Sequence, residues 1–291
     1  MQRRRLGTKI GFVGLGSMGG PLAGRLLYGN QVFGTNRTRS RAAALIDRGL
    51  VWRDTPREVA QAADVVFSMV SGDGALAAVT AGPDGIVAGL RPGALYIDMS
   101  PVSPSASRAL SSRVCSAGAT MVDAALSGGV PAAESGTLAI MVGGTEAGFR
   151  AAEALLLRLG RTVTHVGGNG QGLLLDLAVN ISAAAQLLAF HESVMLAAGG
   201  GNDPSVTARA MTEFGNGAAK SCTPFAGDRP NQAQADVALM YNGIRRALAT
   251  ARESGLRLPV AAAVGKALSQ VEESGHAVLG AAGRYEGAAR S

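Results

Sequence analysis

The stretch GNGQGLLLDLAVN, residues 168–180, places one carboxylate, Asp176, in what otherwise reads as the start of an apolar helix. Leucines surround it at positions 173, 174, 175 and 177. A carboxylate near a helix N-terminus can act simply by interacting with the helix dipole, but that explanation suits residue 173 better than a position one turn further in. Asp176 is therefore a candidate for chemistry, and its role depends on what the helix faces.

A second candidate site is the glycine motif GLGSMG, in which Gly14, Gly16 and Gly19 stand between the apolar run KIGFVG and a helical segment. This order of strand, turn and helix is what a dinucleotide site requires. The first glycine permits the tight turn, the second lets the backbone approach a pyrophosphate, and the third lets helix and strand pack closely. We therefore expect a dinucleotide cofactor; the alternative is a glycine-rich turn without a ligand.

The residues after the second apolar run distinguish the two nicotinamide cofactors. An NAD site usually carries Asp or Glu here to bind the ribose hydroxyls, whereas this chain has Asn36, Arg37 and Thr38. No carboxylate repels a 2′-phosphate, and Arg37 can form charge-assisted hydrogen bonds with one. The sequence thus favours NADP (NADPH) over NAD. The alternative is that Arg37 is a solvated surface charge.

The elements that must position these residues fall into two groups. From residue 8 to about 165, short apolar runs alternate with helical segments, which is typical of an α/β fold with a Rossmann-type, doubly wound parallel sheet. From about 171 to 199 the sequence predicts one long helix, and only helical segments follow. We predict an NADP-binding Rossmann domain over 1–166 and an all-α substrate and dimerisation domain over 167–291, joined by the long interdomain helix. The terminal GAAGRYEGAARS is expected to be a loose tail.

Composition argues against several other classes of protein. Lys plus Arg number 27 against 21 Asp plus Glu, but only 4% of the residues are aromatic and the basic residues are scattered beyond the leading MQRRR, so we expect no nucleic-acid partner. No run of 18 or more apolar residues and no secretory signal pattern occurs, so we expect no membrane span. Cys115 and Cys222 lack metal-type spacing, and we expect free thiols, a cytoplasmic location and no metal site.

Three stretches together resemble the β-hydroxyacid dehydrogenase superfamily, which includes 3-hydroxyisobutyrate dehydrogenase, tartronate semialdehyde reductase and, more distantly, the imine reductases. They are KIGFVGLGSMGGPLAGRLL, VDAALSGGVPAAESGTLAIMVGG and GGNGQGLLLDLAVNISAAAQLLAFHESVMLAAGGG. The resemblance covers the chain to about residue 200 and, more faintly, the later helices. It implies hydride transfer between NAD(P) and a small-molecule substrate in a cleft between two domains. It also implies homodimers in which the helical domain of one subunit completes the cleft of its partner.

The resemblance assigns roles to individual residues. The SGG turn matches the family's substrate-binding turn, Asn180 matches the asparagine one helical turn after the catalytic residue, and Val70–Ser71 matches the loop that passes over the cofactor. Tyr241 could donate a proton from the helical domain, although a core or cleft-lining aromatic is the simpler interpretation. The catalytic candidates are Asp176, Asn180 and Ser127; the cofactor candidates are Gly14, Leu15, Gly16, Ser17, Met18, Gly19, Asn36, Arg37, Thr38, Val70 and Ser71; the substrate candidates are Ser127, Gly128, Gly129, Tyr241 and Asn242.

Two positions depart from the family pattern. Members with hydroxyacid substrates have lysine where this chain has Asp176, and a later Lys-Asp pair is replaced here by Asn242 and Gly243. A substrate carboxylate about 4 Å from a lysine gains about 4 kcal/mol at an effective dielectric near 20, and loses a similar amount beside an aspartate. An anionic substrate is therefore disfavoured. A cationic iminium is favoured, and aspartate at this position is a known variant among imine reductases.

The leading hypothesis is an NADPH-dependent oxidoreductase that transfers hydride to an imine, an iminium or another non-anionic C=N or C=O acceptor. Asp176 would stabilise the cation and hold or relay its proton. The intact SGGVPAAESGTL is closer to the hydroxyacid branch, so a 3-hydroxyisobutyrate or tartronate semialdehyde type of dehydrogenase is the first alternative. A dehydrogenase-like scaffold without catalytic activity is the second.

Overall fold

The computed structural model describes residues 7–214 and 230–273 of the 291-residue chain. Contacts divide the chain into two compact units, which we call the sheet unit (Met1–Asp176) and the helical unit (Leu177–Ser291). Cys222 and the C-terminal segment expected to be a loose tail lie outside the described residues. The domain boundary placed at 166/167 from the sequence stays a prediction.

The sheet unit alternates strands and helices along the chain, as its sequence predicts. Its strands are β1 (Lys9–Val13), β2 (Gln31–Thr35), β3 (Val51–Trp52), β4 (Val65–Ser68), β5 (Leu95–Asp98), β6 (Thr120–Ser127), β7 (Leu138–Gly144) and β8 (Gly160–Gly167). Its helices are α1 (Gly19–Leu26), α2 (Ala43–Asp47), α3 (Pro56–Ala62), α4 (Asp73–Thr80), α5 (Ile86–Gly89), α6 (Pro104–Ser116), α7 (Gly129–Ser135) and α8 (Glu146–Leu156), with a 3₁₀ turn at Arg39–Ala42.

The eight strands form one sheet in the order β3-β2-β1-β4-β5-β6-β7-β8. The first six are parallel and follow the strand order of a Rossmann sheet. Strand β7 departs from the expected all-parallel sheet, because it runs antiparallel to β6. Only ten residues, including the short helix α7, connect Ser127 to Leu138, and a parallel crossover needs about a dozen or more. Strand β8 then pairs parallel with β7.

Two hydrophobic clusters cover the two faces of the sheet. Alternate residues of one strand belong to different clusters: Leu95 and Ile97 lie in the first, whereas Tyr96 lies in the second. Successive side chains of a strand point to opposite faces, so strands buried on both faces read as continuous apolar runs. This double burial explains the apolar runs of the sequence and confirms the doubly wound architecture.

Helix ends in the sheet unit follow local capping chemistry. Thr55 Oγ1 accepts a hydrogen bond from Glu58 N at 3.1 Å at the start of α3, and Pro56 occupies the first helical position. The Glu58 carboxylate accepts in turn from Asp54 N at 3.0 Å. Residues 55–58 thus form a capping box in which the Glu58 carboxylate accepts from the residue before the cap instead of from the cap itself.

The long helix α9 (Gln171–Gly199) begins in the sheet unit and ends in the helical unit. The described part of the helical unit also contains α10 (Pro204–Phe214), α11 (Pro230–Glu253) and α12 (Pro259–Glu273), and no strand. A third cluster, formed by Ala184, Leu188, Ile244, Val264 and Leu268, packs α9, α11 and α12 together.

Helix α9 is unusually apolar around its whole circumference. Its most apolar window of 18 residues has a mean hydropathy of 1.8, and only 22% of that window is buried within the chain. By length and composition alone such a helix could cross a membrane. A helix whose apolar surface is covered by another protein has the same two properties.

Candidate active site

The glycine turn between β1 and α1 has the shape that a pyrophosphate needs. Gly14 has φ of 96°, and a Cβ there would collide with the carbonyl oxygen of Met69. A Cβ at Gly19 would collide with the carbonyl oxygen of Gly14, which is why helix and strand pack so closely. A Cβ at Gly16 would meet no protein atom within 4 Å. The turn therefore leaves open space at the N-terminus of α1, where backbone N–H groups can receive an anion.

The same turn is tied to the loop after β2. Leu15 N donates to Asn36 Oδ1 at 3.1 Å, and Asn36 Nδ2 donates to the carbonyl oxygen of Thr38 at 3.0 Å. Leu15 is buried and Met18 packs against the first cluster, whereas Ser17 is exposed. The side chain of Asn36 thus has a structural task in addition to the cofactor contact predicted for it.

The loop after β2 presents an unusual concentration of positive charge. Arg37, Arg39 and Arg41 are exposed, and Arg39 lies over the ring of Trp52 with its guanidinium carbon 5.3 Å from the ring centroid. Among the described residues, none of these arginines has a carboxylate oxygen within 4 Å. A cation at this loop can therefore interact with a phosphate on the ribose without first leaving another partner.

The loop after β4 runs beside the glycine turn. Val70 N donates to Ser100 Oγ at 3.0 Å, and a Cβ at Gly14 would lie 3.1 Å from Val70 Cγ1. Ser71 is exposed, and Gly72, with φ of 115°, precedes α4. The glycine turn, Asn36 and Val70 are thus brought together where β1, β2 and β4 end, and their contact with a cofactor stays a prediction.

Next to these loops, the sheet contains a row of buried polar side chains that the sequence did not reveal. Ser68, Asp98 and Asp123 are in register on β4, β5 and β6, so their side chains share one face. Ser68 Oγ donates to Asp98 Oδ1 at 2.6 Å and lies 2.7 Å from the Tyr96 hydroxyl. Carboxylates inside the apolar runs LYID and MVDAAL were the signal, since charge is rare in strands buried on both faces.

Burial controls the titration of both carboxyl groups in this row. Loss of hydration raises the pKa of Asp98 from 3.8 to about 6, while hydrogen bonds from Ser100 and Ser68 partly oppose the rise. Asp98 Oδ2 is buried and has no hydrogen-bond partner among the residues that the structure describes. Burial also raises the pKa of Asp123, against the hydrogen bonds that its carboxylate accepts from Gly170 and Leu173.

The SGG turn lies where β6 ends. Ser127 is the last residue of β6 and is half-buried; Gly128 and Gly129 have φ values of 130° and 67°, which favour glycine. A Cβ at Gly128 would approach the Cβ of Ala132 to 2.6 Å. The two glycines therefore have a backbone reason to be present, and the substrate-binding role of the turn stays a prediction.

Asp176 and Asn180 stand four residues apart on α9, one helical turn and about 40° from each other. Both are half-buried. Within the helical unit, a Cβ at Gly243 would lie 3.6 Å from Cβ and Cγ of Asn180, so Asn180 faces the backbone of α11 beside Asn242. The two departures from the family pattern, at 176 and at 242–243, thus neighbour the same asparagine, one along α9 and one across on α11.

Tyr241 has the environment of a packing residue. Its ring packs against the third cluster, and the guanidinium carbon of Arg245 lies 5.8 Å from the ring centroid. Asn242, the next residue, is exposed. These contacts favour the simpler interpretation of Tyr241 as an aromatic that packs in the helical unit, while its contact with a substrate stays a prediction.

Comparison with known proteins identifies relatives that match most of the chain. Residues 9–167 match the family described as the NAD binding domain of 6-phosphogluconate dehydrogenase. The chain is 32% identical over 260 residues to 3-hydroxyisobutyrate dehydrogenase of Pseudomonas aeruginosa, covering 88% of this chain and 86% of that one. It is 34% identical over 189 residues to 2-(hydroxymethyl)glutarate dehydrogenase of Eubacterium barkeri, a match that spans 65% of this chain and 63% of that protein.

Solved structures show the same two-part fold. The structure of Mycobacterium tuberculosis 3-hydroxyisobutyrate dehydrogenase with L-serine has a TM-score of 0.84 and 27% identity, covering 98% of this chain and all of that one. An imine reductase of Streptomyces aurantiacus has a TM-score of 0.61 and 23% identity, covering 94% and 98% of the two chains. The second similarity concerns the fold alone.

Proposed function

Because the chain belongs to the β-hydroxyacid dehydrogenase family of NAD(P)-dependent oxidoreductases, we propose that it uses NADPH to reduce an imine, an iminium or another acceptor without negative charge. The observation that carries this proposal is the half-buried carboxylate of Asp176, one turn before Asn180 on α9. Relatives that act on hydroxyacids have an ammonium group at this position. Because Asp176 is negatively charged where those relatives are positively charged, it favours a cationic or neutral substrate over an anionic one.

The residues of the glycine turn fit the dinucleotide, because Gly16 leaves its side open and the α1 N-terminus offers backbone N–H groups. When bound, the nicotinamide supplies a hydride for the carbon of the C=N bond. NADPH is preferred over NADH because Arg37 is exposed and lacks a carboxylate within 4 Å among the described residues.

The chain's own contribution at the reacting centre is electrostatic. Asp176 would stabilise the positive nitrogen of an iminium and could hold a proton on a carboxylate oxygen for transfer to or from that nitrogen. Asn180, a carboxamide one turn later, can donate and accept hydrogen bonds and would orient the acceptor. Ser127 would offer its hydroxyl to polar groups of the substrate.

A 3-hydroxyacid or semialdehyde dehydrogenase is the second candidate function. The identity of 32% to a 3-hydroxyisobutyrate dehydrogenase over most of both chains favours it. In that case a group other than Asp176 must balance the charge of the substrate. The two candidates predict opposite substrate charges, so one panel of substrates separates them.

The test is the oxidation of NADPH, and in parallel of NADH, with a panel of cyclic imines, ketones and semialdehydes, together with the reverse oxidation of serine, glycerate and 3-hydroxyisobutyrate by NADP. We expect turnover of imines with NADPH. Asp176→Ala should lower kcat/KM on the accepted imine at least a hundredfold, the usual size of a lost acid–base or electrostatic group, with NADPH still bound. Asp64→Ala removes an exposed carboxylate just before β4, at the amino ends of the strands and away from the glycine turn, and is the control, with kcat/KM unchanged.

Wild-type kcat/KM in Asp176→Ala on the accepted imine would refute the role of this carboxylate. Oxidation of hydroxyacids without reduction of imines would select the second candidate. Tight binding of NADPH without turnover of any compound would favour the scaffold that lacks catalytic activity.

A further inference from the structure

The first turn of α9 is held by a carboxylate that comes from the middle of the sheet. Asp123 Oδ2 accepts a hydrogen bond from Gly170 N at 2.5 Å, and Oδ1 accepts one from Leu173 N at 3.4 Å. Ser107 Oγ, on α6, donates to Oδ2 at 3.4 Å. The first N–H groups of a helix have no partner within the helix, and they carry partial positive charge. Asp123 therefore accepts hydrogen bonds from N–H groups at the start of α9, although it lies 47 residues before Gly170 in the chain.

The protein makes room for this carboxylate with two glycines. A Cβ at Gly143 would lie 2.7 Å from both carboxylate oxygens of Asp123, and a Cβ at Gly172 would lie 2.9 Å from Oδ1. Asp123 itself is fully buried. A side chain at either glycine would collide with the carboxylate, so both positions must lack a Cβ for Asp123 to reach the N-terminus of α9.

A second contact fixes the loop just before the helix. Asn169 Nδ2 donates to the carbonyl oxygen of Met121 at 3.1 Å, and Ser111 Oγ donates to Asn169 Oδ1 at 2.9 Å. Met121 precedes Asp123 by two residues on the same strand. Strand β6 thus holds the segment 169–173 at two points.

We propose that Asp123 is a positioning residue: its carboxylate fixes the N-terminus of α9 against β6 and thereby sets the position of Asp176, three residues after Leu173. This inference rests on the proposed function of Asp176. Catalysis depends on reacting groups being held within fractions of an ångström, and a displacement of about 1 Å can lower the rate about a hundredfold. A loosened first turn would displace Asp176 while leaving the glycine turn of the cofactor site in place.

The test uses Asp123→Asn in the full chain. Asparagine keeps the size and one acceptor oxygen, but its NH₂ group cannot accept the bond from Gly170 N. We expect faster amide hydrogen exchange in 170–176, measured by mass spectrometry. We also expect kcat on the accepted imine to fall at least tenfold, while KM for NADPH changes less than twofold.

Leu156→Ala is the control for a general loss of stability. Leu156 is fully buried on α8 in the first cluster and makes none of the contacts that hold α9. It should lower the melting temperature, yet leave exchange in 170–176 and kcat unchanged below the melting transition. The split between kcat and KM, together with the local exchange, separates positioning from a simple loss of stability.

Equal exchange in 170–176 for wild type and Asp123→Asn would overturn the anchoring. Faster exchange with unchanged kcat would overturn the positioning role. Failure of the proposed function is a separate result, because it is read from Asp176→Ala and from the substrate panel, whereas the exchange experiment needs no substrate.

Discussion

Asp98 shows how one buried side chain makes the stability of the whole protein depend on pH. Its side chain is 1% exposed, and burial raises its pKa from 3.8 to about 6. A raised pKa means that the folded state binds the proton more tightly than the unfolded state does. The contribution of Asp98 to stability is therefore fully present below about pH 4 and is lost as the pH rises through 6.

We predict that Asp98→Asn reduces this loss. A difference of about two pKa units corresponds to about 3 kcal/mol in full, of which about 2 kcal/mol is lost between pH 4.5 and pH 7.5, so the variant should gain about 2 kcal/mol relative to wild type over that range. The measurement is urea unfolding at a series of pH values. Asp64→Asn, which alters an exposed carboxylate, is the control. If the free energies of unfolding of wild type and Asp98→Asn change in parallel with pH, the prediction is wrong.

Asp98 and Asp123 also show what the sequence did not reveal about the site. Asp176 was found because it interrupts an apolar helix at a position where relatives have lysine. Asp98 and Asp123 interrupt apolar strands in the same way, but Ser68 and Gly170, which donate hydrogen bonds to them, lie 30 and 47 residues away in the chain and become neighbours only in the fold. A single sequence shows the charged residues but does not show which residues will form hydrogen bonds with them.

At the scale of elements, the glycine turn permits a test with two neighbouring variants. Gly16→Ala adds a methyl group where no protein atom lies within 4 Å, so the melting temperature without cofactor should change by less than about 2 °C. The same methyl group occupies the space intended for the pyrophosphate, and the Kd for NADPH should rise at least about tenfold. Calorimetric titration and thermal unfolding measure the two effects.

Gly19→Ala should show the opposite balance. Its methyl group would collide with the carbonyl oxygen of Gly14 and separate α1 from β1, so the variant should lose about 2 kcal/mol of stability or more. An unchanged melting temperature in Gly19→Ala would show that the packing of α1 on β1 does not require this glycine. Unchanged NADPH binding in Gly16→Ala would show that the cofactor does not contact Gly16.

Most elements could be predicted because their signals are local. The Thr55 cap, the prolines that open α10, α11 and α12, and the apolar length of α9 are all visible in the sequence. The reversal of β7 is different, because its direction follows from the short connection through α7 and from pairing with β6. Connection length gives a hint of the reversal, but the apolar pattern of β7 does not.

At the scale of the whole molecule, the exposed apolar surface of α9 and its neighbours needs a cover. Leu196 is 81% exposed and Met195 is 47% exposed. Both lie on α9, and 22% of the most apolar 18-residue stretch of that helix is buried within the chain. Apolar patches of this kind mark association sites. We propose that a second copy of the chain covers the helix, in agreement with the homodimer that the family resemblance implies.

Light scattering coupled to size exclusion should therefore give twice the chain mass of 29.3 kDa. Leu196→Asp places a charge in the covered surface and should shift the protein toward the mass of one chain. Thr80→Val, a change on α4 far from this helix in sequence, should leave the mass unaltered. A wild type that runs as a monomer, or that sediments with phosphatidylcholine vesicles, would contradict the dimer.

The enclosure of Asp123 between Gly143 and Gly172 also has an evolutionary consequence. Alanine at either glycine would displace the carboxylate, but a Cβ at Gly143 would also lie 2.7 Å from the carbonyl oxygen of Gly168, and a Cβ at Gly172 would lie 2.5 Å from that of Met141. Both glycines should therefore be retained among homologous chains whether or not the acid is present. A lineage that lost the acid would keep the two glycines beside its replacement, leaving a recognisable trace of how its long helix was once attached.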